Sequence, residues 1–348
     1  MKKPRILIST HYNCLRNIKS SIAAYNLGYE LELITQGDGL GLVRELMHDH
    51  IYKSIRIWST PSQLEKYMEE SNADIIWCHN EPDLMTVLAH SPNVKRDRMI
   101  IHDCHDLPTL HPEYTKNEEV NEQEMISMTK SDMVFVPTQD YVDITEKKYG
   151  RKEGVHVLYS CAPSAFFPNA DMPRVNGMLY CGQINVPSMG SRLAYRDVVP
   201  LFRYLTALGI ASHIYYTTPN IDVTPYITAG ACTYGVLKMW AAIQQYTRYD
   251  YGFVGSNVEC EEIKICMPNK LFDCMAAGIP LICLNADTAG KFCIDNDIGI
   301  SVNGLSALQN VPWGDVSMWE RMRKNVREIR REYTMENQLK KLFDKVGI

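Results

Sequence analysis

No excess of positive charge is present in this chain. Its 348 residues carry 36 Lys and Arg against 41 Asp and Glu, a net charge of −5. That balance gives no global electrostatic pull toward nucleic acid or an anionic membrane. Long apolar runs are missing too. No segment approaches the roughly 18 apolar residues a membrane-spanning helix needs. The N-terminus, MKKPRILIST, holds one short strand whose apolar run is too short for a secretion signal and is interrupted by Pro4. Paired cysteines of the C-x-x-C kind are absent, and the eleven cysteines are an odd, scattered set. They fit reduced thiols rather than a disulfide framework. No internal repeat, low-complexity stretch or Asp-x-Asp motif after a strand occurs. A cytoplasmic protein is expected, with peripheral membrane attachment still open.

What is present is ordinary for a globular protein of two domains: 45% apolar and 22% charged residues. Short apolar runs alternate with helical patterns from the start. Strands are expected at residues 6–9, 31–35, 55–58, 74–78, 99–102, 133–136 and 155–158. Helices are expected at 16–27, 61–70, 82–90 and 139–149. Such alternation predicts a parallel sheet covered on both faces. Residues 111–128 read either as a mobile segment or as a solvated helix over 117–129. The pattern lapses over residues 159–176, where prolines mark a linker. Strands then recur at 177–181, 212–216, 251–254, 279–284 and 298–302. Residues 319–346 are helical, and one of their helices is strongly basic through Arg321, Arg323, Lys324, Arg327, Arg330 and Arg331. A solvated face is the simple reading of those charges; a lipid or nucleic-acid contact is the sharper one.

The most informative stretch is MPNKLFDCMAAGIPLICL, residues 267–284. Pro268 opens a short helix, Gly278 stops it, and a buried strand follows. A helix N-terminus presents unpaired N–H groups and partial positive charge, and so attracts anions. Lys270 places a full positive charge at that end, which is unfavourable for the dipole unless something negative sits there. Asp273, one turn on, can accept hydrogen bonds from hydroxyls. Phosphate at Lys270 and a sugar hydroxyl at Asp273 describe a nucleotide. An ordinary surface Lys–Asp pair is the alternative.

The segment Pro268 to Pro280 resembles the PNKLFEYMAAGxP segment of GT-B glycosyltransferases, mostly the retaining, nucleotide-sugar-dependent kind. What that resemblance implies is an α/β chain of two Rossmann-like domains facing each other across a cleft. It places the donor diphosphate on Lys270 and the ribose hydroxyls on Asp273, with Met267, Asn269 and Leu271 around them. The family usually has Glu where Asp273 stands. A further Glu, eight residues earlier, grips the donor sugar in many members; here that position is Ile265, and Glu259, Glu261 or Glu262 could substitute.

Parallel sheets bind ligands at the carboxyl ends of their strands. After the first strand comes a polar loop without glycine, in which His11, Tyr12 and Arg16 are candidates for acceptor recognition, an ordinary loop being the alternative. His79 follows another strand and is a further acceptor candidate. His102-Asp103-Cys104-His105-Asp106 follows the next and resembles the family's T-x-H-D segment. Its histidine maps onto His105, beside the reacting carbon of the donor sugar, with Asp106 to orient or charge-tune it. A metal held by His79, His102, Asp103 and His105 is the rival reading, but His-x-x-His at a strand end does not feed one metal from one face. No metal and no cofactor beyond the nucleotide sugar as co-substrate is expected.

In the second half, Gly182 and Gln183 end a strand where the family's turn faces the donor phosphates. Arg192 and Arg196 follow and could reach a diphosphate. The resemblance implies three pieces: residues 1–165 on the acceptor side, 166–318 on the donor side, and 319–348 as terminal helices, the last crossing back to the first domain. The implied reaction moves a sugar from a nucleotide-diphosphate donor to an acceptor hydroxyl with retention and without a metal. An inverting transferase, a nucleotide-sugar epimerase or phosphorylase, and a non-catalytic partner subunit are the rivals. The acceptor stays open among glycan, lipid-linked sugar, small molecule and nucleic-acid base.

Overall fold

The computed structural model describes residues 3–12, 14–36, 49–79, 83–110, 116–184, 196–217, 221–235 and 237–348. The chain divides into two compact units, Met1–Pro163 with Met335–Ile348, and Ser164–Thr334. The boundary falls two residues before the expected one. The basic helix groups with the second unit and the last helix with the first.

In the first unit the strands are β1 (Arg5–Thr10), β2 (Glu30–Gln36), β3 (Tyr52–Trp58), β4 (Ile75–His79), β5 (Met99–Asp103), β6 (Met133–Val136) and β7 (Val155–Val157). They form one parallel sheet in the order β3-β2-β1-β4-β5-β6-β7. Helices α1 (Leu15–Asn26), α2 (Pro61–Glu70), α3 (Leu84–Ala89), α4 (Pro92–Lys95), α5 (Glu118–Lys130) and α6 (Gln139–Tyr149) alternate with them. Helix starts follow local chemistry. Thr60 and Thr138 accept hydrogen bonds from the amides of Gln63 and Tyr141, and Gly150 ends α6 in the left-handed conformation. Of the two readings of residues 111–128, the helix is found from Glu118 onward; residues 111–115 lie outside the described set. Apolar residues of β1, β4 and β5, such as Leu7, Ile76 and Ile100, pack with Leu64, Met68 and Met85 of α2 and α3.

The second unit repeats the plan. Strands β8 (Met178–Gly182), β9 (Ser212–Tyr216), β10 (Cys232–Tyr234), β11 (Tyr251–Gly255), β12 (Leu281–Leu284) and β13 (Gly299–Val302) form a parallel sheet in the order β10-β9-β8-β11-β12-β13. Its helices are α7 (Val199–Ala207), α8 (Thr224–Thr228), α9 (Met239–Tyr246), α10 (Glu261–Ile265), α11 (Asn269–Ala277), α12 (Asp287–Asp295) and α13 (Val316–Ile329). The final helix, α14 (Met335–Val346), returns to the first unit, where Phe343 meets the ring of Tyr29 at 5.2 Å and Glu336 accepts from Asn26 of α1.

The arginines of α13 are engaged inside the second unit. Arg323 and Arg327 share Asp171, at 3.1 and 2.5 Å, and Arg330 donates to the Ala276 carbonyl near the end of α11 at 2.7 Å. Arg330 thus ties the helix to α11, while Arg321, Lys324 and Arg331 stay on the exposed side, as a solvated face has it.

Gly255 closes β11 at φ +117°, and a Cβ there would sit 1.9 Å from the carbonyl oxygen of Leu284 on β12. Left-handed strain and a backbone collision combine at this position. Gly255→Ala is expected to destabilise the second unit by at least about 3 kcal/mol in a denaturant melt; a loss under about 1 kcal/mol would contradict the close strand approach.

Candidate functional site

In both sheets the connections reverse direction at one point, between β1 and β4 in the first and between β8 and β11 in the second. Crevices at such points, at the carboxyl ends of the strands, are where ligands bind in doubly wound sheets. Each unit carries its candidate chemistry there.

In the first unit the parallel register pairs His79 with Asp103 and Cys78 with His102. Side chains alternate across a strand. His102 therefore points to the opposite face, where its Nδ1 lies 2.8 Å from the Thr86 hydroxyl of α3. His79 and Asp103 share a face with Trp77, and all three are fully buried. Arg16, in the first turn of α1, reaches Asp103 through Nε at 2.8 Å and through its terminal nitrogen at 2.7 Å. Its other nitrogen donates to the Leu158 carbonyl at 2.8 Å. The Trp77 indole N–H donates to Asp103 Oδ2 at 3.3 Å. His79 Nδ1 stands 3.4 Å from the same oxygen and 3.1 Å from His105 Nε2. His105 Nδ1 faces the Cys14 thiol at 3.6 Å.

The electrostatics follow from burial. Burial pushes the Asp103 carboxyl up, but Arg16 and the two histidines outweigh it and hold the group down at about 2. Burial lowers His79 to about 4 and His105 well below the ordinary range, with Asp103 opposing in both. Both rings are neutral at pH 7. His105 keeps 16% of its side chain exposed, so it is the member of the cluster that looks outward.

Two of the acceptor candidates are placed elsewhere than expected. Arg16 is only 5% exposed and its guanidinium is taken up by Asp103 and Leu158, because the strand-end carboxylate beside it requires a buried counter-charge. His79 is wholly buried under Trp77, with the rings stacked 5.2 Å apart, so it backs His105 and does not face an acceptor. His11 is half-buried against Trp58 and Tyr12 is 49% exposed; these two remain at the rim of β1. The carboxylate set against His105 and His79 is that of Asp103, where Asp106 had been expected; Asp106 is half-buried and its carbonyl accepts from the Cys104 thiol.

His79, Asp103 and His105 offer ligand atoms within 4.8 Å of one another, the spacing of a metal triad. His102, part of the four-residue set rejected on sequence grounds, does not join them. The cluster is already balanced, however: the Asp103 charge is met by Arg16, and a dication added to two neutral imidazoles would be buried uncompensated.

The loop carrying His105 is pinned from behind. The Glu124 carboxylate of α5, fully buried, accepts from the Thr109 amide at 2.9 Å and hydroxyl at 2.5 Å, from Lys148 at 2.7 Å, and from the Tyr149 hydroxyl. Glu124→Ala strands four donors and is expected to lower first-unit stability by about 2–4 kcal/mol in urea unfolding. A change below about 1 kcal/mol would show that the network does not hold the loop.

In the second unit, α11 begins at Asn269 after Pro268 and ends at Gly278 (φ +77°), where a Cβ would press within 3.1 Å of both Arg327 and Arg330. Lys270 lies in the first turn. Its ammonium sits 4.3 Å above the ring of Tyr180 and, among the described residues, makes no hydrogen bond or ion pair. Tyr180 and Gly182 alternate onto one face of β8, and the Tyr180 hydroxyl donates to the Gln183 carbonyl at 2.7 Å. Gly182, at φ +135°, leaves its α-carbon open toward Lys270, whose Cε and Nζ would be 3.9 Å from an added Cβ. The α11 start, Lys270 and the bare end of β8 thus lie together, an arrangement suited to an anion.

Around it, Asp273 is 7% exposed, Gln183 is exposed and accepts from Arg196, and Asn269 is half-buried. Met267 and Leu271 turn their side chains into the core, at 5% and 0% exposure. The Leu271 amide also folds back on the Pro268 carbonyl at 3.0 Å, so neither side chain offers a ligand contact. Arg192 lies outside the described residues. Lys264 of α10 ties up Glu259 and Glu261, at 3.3 and 2.9 Å. Tyr180 and Cys14 escaped sequence reasoning: nothing in a strand tyrosine or a lone cysteine marks the partner it will meet.

No protein-family model and no curated protein sequence matches the chain. Solved structures do. The Anabaena protein HepE, in complex with UDP and glucose, superposes with a TM-score of 0.74 at 12% identity over 99% of this chain and 100% of its own. A glycosyltransferase from Rickettsia africae gives 0.69 at 13% identity over 99% and 98%. A Listeria monocytogenes structure named as a UDP-N-acetylglucosamine 2-epimerase gives 0.63 at 10% identity over 99% and 96%. No described helix is long and apolar enough to cross a membrane. Two parallel sheets with interleaved helices, matched along the whole chain, give this protein the GT-B glycosyltransferase fold.

Proposed function

We propose that the protein transfers a sugar from a nucleotide-diphosphate donor to an acceptor hydroxyl, with retention and without a metal. The observation that carries this reading is Lys270: a cation with no ion pair among the described residues, at the start of a nine-residue helix, at the switch point of a parallel sheet, beside a glycine that opens the strand end. As the sugar–phosphate bond breaks, negative charge grows on the leaving diphosphate. Lys270 and the first amides of α11 stabilise that charge in place of a divalent ion. Asp273 takes the ribose hydroxyls. Arg196 assists from the Gln183 turn. In the first unit His105 contributes a neutral imidazole, and His11 and Tyr12 are the residues for the acceptor.

HepE is bound to UDP-glucose in one of its structures, which makes UDP-hexoses the first donors to test. Incubation with radiolabelled UDP-sugars and a panel of acceptors should yield a glycosylated product with the donor's anomeric configuration. An inverted product would remove the retaining reading. A second reading, nucleotide-sugar epimerisation, is favoured by the Listeria likeness; it predicts turnover of the donor with no acceptor present. Binding without turnover or hydrolysis would point to a non-catalytic partner, consistent with Ile265 at the position of the family's first Glu.

A further inference from the structure

We infer that Asp103 and His79 are positioning residues which fix the tautomer of His105, so that His105 presents Nδ1–H as a hydrogen-bond donor and has no basic nitrogen to offer a substrate. The tautomer follows from Asp103, His79 and His105 alone; its catalytic consequence rests on the transferase reading above.

The argument runs along the chain of contacts. Asp103 is ionised and tied on Oδ1 by Arg16 and on Oδ2 by Trp77. Its Oδ2 lies 3.4 Å from His79 Nδ1, which also lies 3.1 Å from His105 Nε2. His79 has two neutral forms. With the proton on Nε2, a lone pair at Nδ1 would face the carboxylate. The Nε2–H would also be buried with no acceptor, since that nitrogen has no hydrogen-bond partner among the described residues. An orphaned buried donor loses its hydration with nothing in return. With the proton on Nδ1, the N–H donates to the His105 ring and its positive end lies 3.4 Å from the carboxylate, and only a lone pair is left without a partner. The second form is the stable one. His105 Nε2 must then accept, and a neutral His105 carries its own proton on Nδ1. That N–H points to the Cys14 thiol at 3.6 Å, and the Cys14 sulfur already accepts from the Asn17 amide at 3.4 Å. The His105 nitrogen turned away from His79 is therefore a donor.

This assigns the chemistry His105 can perform. It can donate to a sugar hydroxyl or to a developing negative oxygen. It cannot take a proton from an acceptor hydroxyl, because its one lone pair is occupied by His79. The general-base role that an inverting transferase would demand is closed to it.

The test is the tautomer itself, read from nitrogen-15 spectra of histidine-labelled protein at neutral pH, with His105 assigned by its loss in His105→Gln. The expected result is Nδ1–H in wild type. His79→Gln, whose amide can still donate to Nε2, keeps it, and His79→Leu moves the proton to Nε2. An Nε2–H form in folded wild type overturns the inference without any variant. So does an unchanged tautomer in folded His79→Leu. In transfer assays His79→Leu should lose kcat about 10- to 100-fold, with donor KM within about twofold, and His79→Gln should recover most of it. If wild type transfers no sugar at all while the tautomer is as stated, the transferase reading fails and the positioning network stands.

Discussion

Lys270→Ala should erase roughly half to nine-tenths of the thermal stabilisation that a nucleotide sugar gives the wild-type protein. A charge-assisted hydrogen bond to phosphate is worth about 1.5–3 kcal/mol, which weakens binding about 10- to 150-fold when removed. A donor present at about 100 times its dissociation constant stabilises the native state by about 2.7 kcal/mol. At the same concentration a variant weakened 10- to 100-fold retains only about 1.4 to 0.4 kcal/mol. The ligand-free melting temperature should hardly move, because the half-buried Lys270 gives up only its contact with the Tyr180 ring. Both proteins are to be melted with and without UDP-sugars. Equal shifts in the two would remove Lys270 from the donor site and take the principal support from the transferase reading with it.

That lysine was legible in the sequence because its message is local. A proline, a cation one residue into a helix and a glycine stop describe α11 whatever the rest of the chain does. The strands were legible for the same reason: β6, α6 and β9 fall on the expected residues, since short apolar runs and capped helices need no distant partner to be recognised. The site in the first unit was legible only in part. His79 and His105 stand at strand ends and could be read there. What could not be read is the register that sets His79 beside Asp103, or the reach of Arg16 from α1 across to β5. Pairing between strands β4 and β5 decides which of two adjacent residues, His102 or Asp103, faces α1, and alternation alone leaves both faces possible. Arg16 consequently looked like a surface group awaiting a ligand, whereas it neutralises a carboxylate the sequence had placed in no partnership. Elements β10, α8, α10 and α12 were missed outright. They are short or lie between stronger signals, and packing against the sheet, rather than local propensity, makes them helix or strand.

The largest stability effect is expected at the Arg16–Asp103 pair, both members of which are almost wholly inside the protein. Arg16→Met leaves a buried carboxylate with only Trp77 and the neutral rings of His79 and His105 beside it, and breaking such a pair from one side costs about 3–5 kcal/mol. Arg16→Met with Asp103→Leu removes both charges and should recover most of that loss, since the penalty lies in the stranded charge rather than in the missing attraction. The pH dependence separates the groups further. Asp103 is depressed in the folded state to about 2 from an ordinary 3.8, so its stabilisation is complete above pH 3.8 and disappears as pH falls toward 2. Its share is about 2 kcal/mol. His79 and His102 are depressed to about 4 from 6.5, so the unfolded chain takes up their protons first. Stability should therefore begin to fall at pH 6.5 and continue to pH 4, by on the order of 3 kcal/mol for each ring. Urea unfolding of the wild type between pH 7 and pH 3 should show both limbs. His79→Gln should take one ring's share, about half of that fall, out of the upper limb and leave the lower one in place. A wild-type profile level from pH 7 to pH 4 would mean that these rings are not held neutral in the folded chain, and the electrostatic order assigned to the cluster would have to be abandoned.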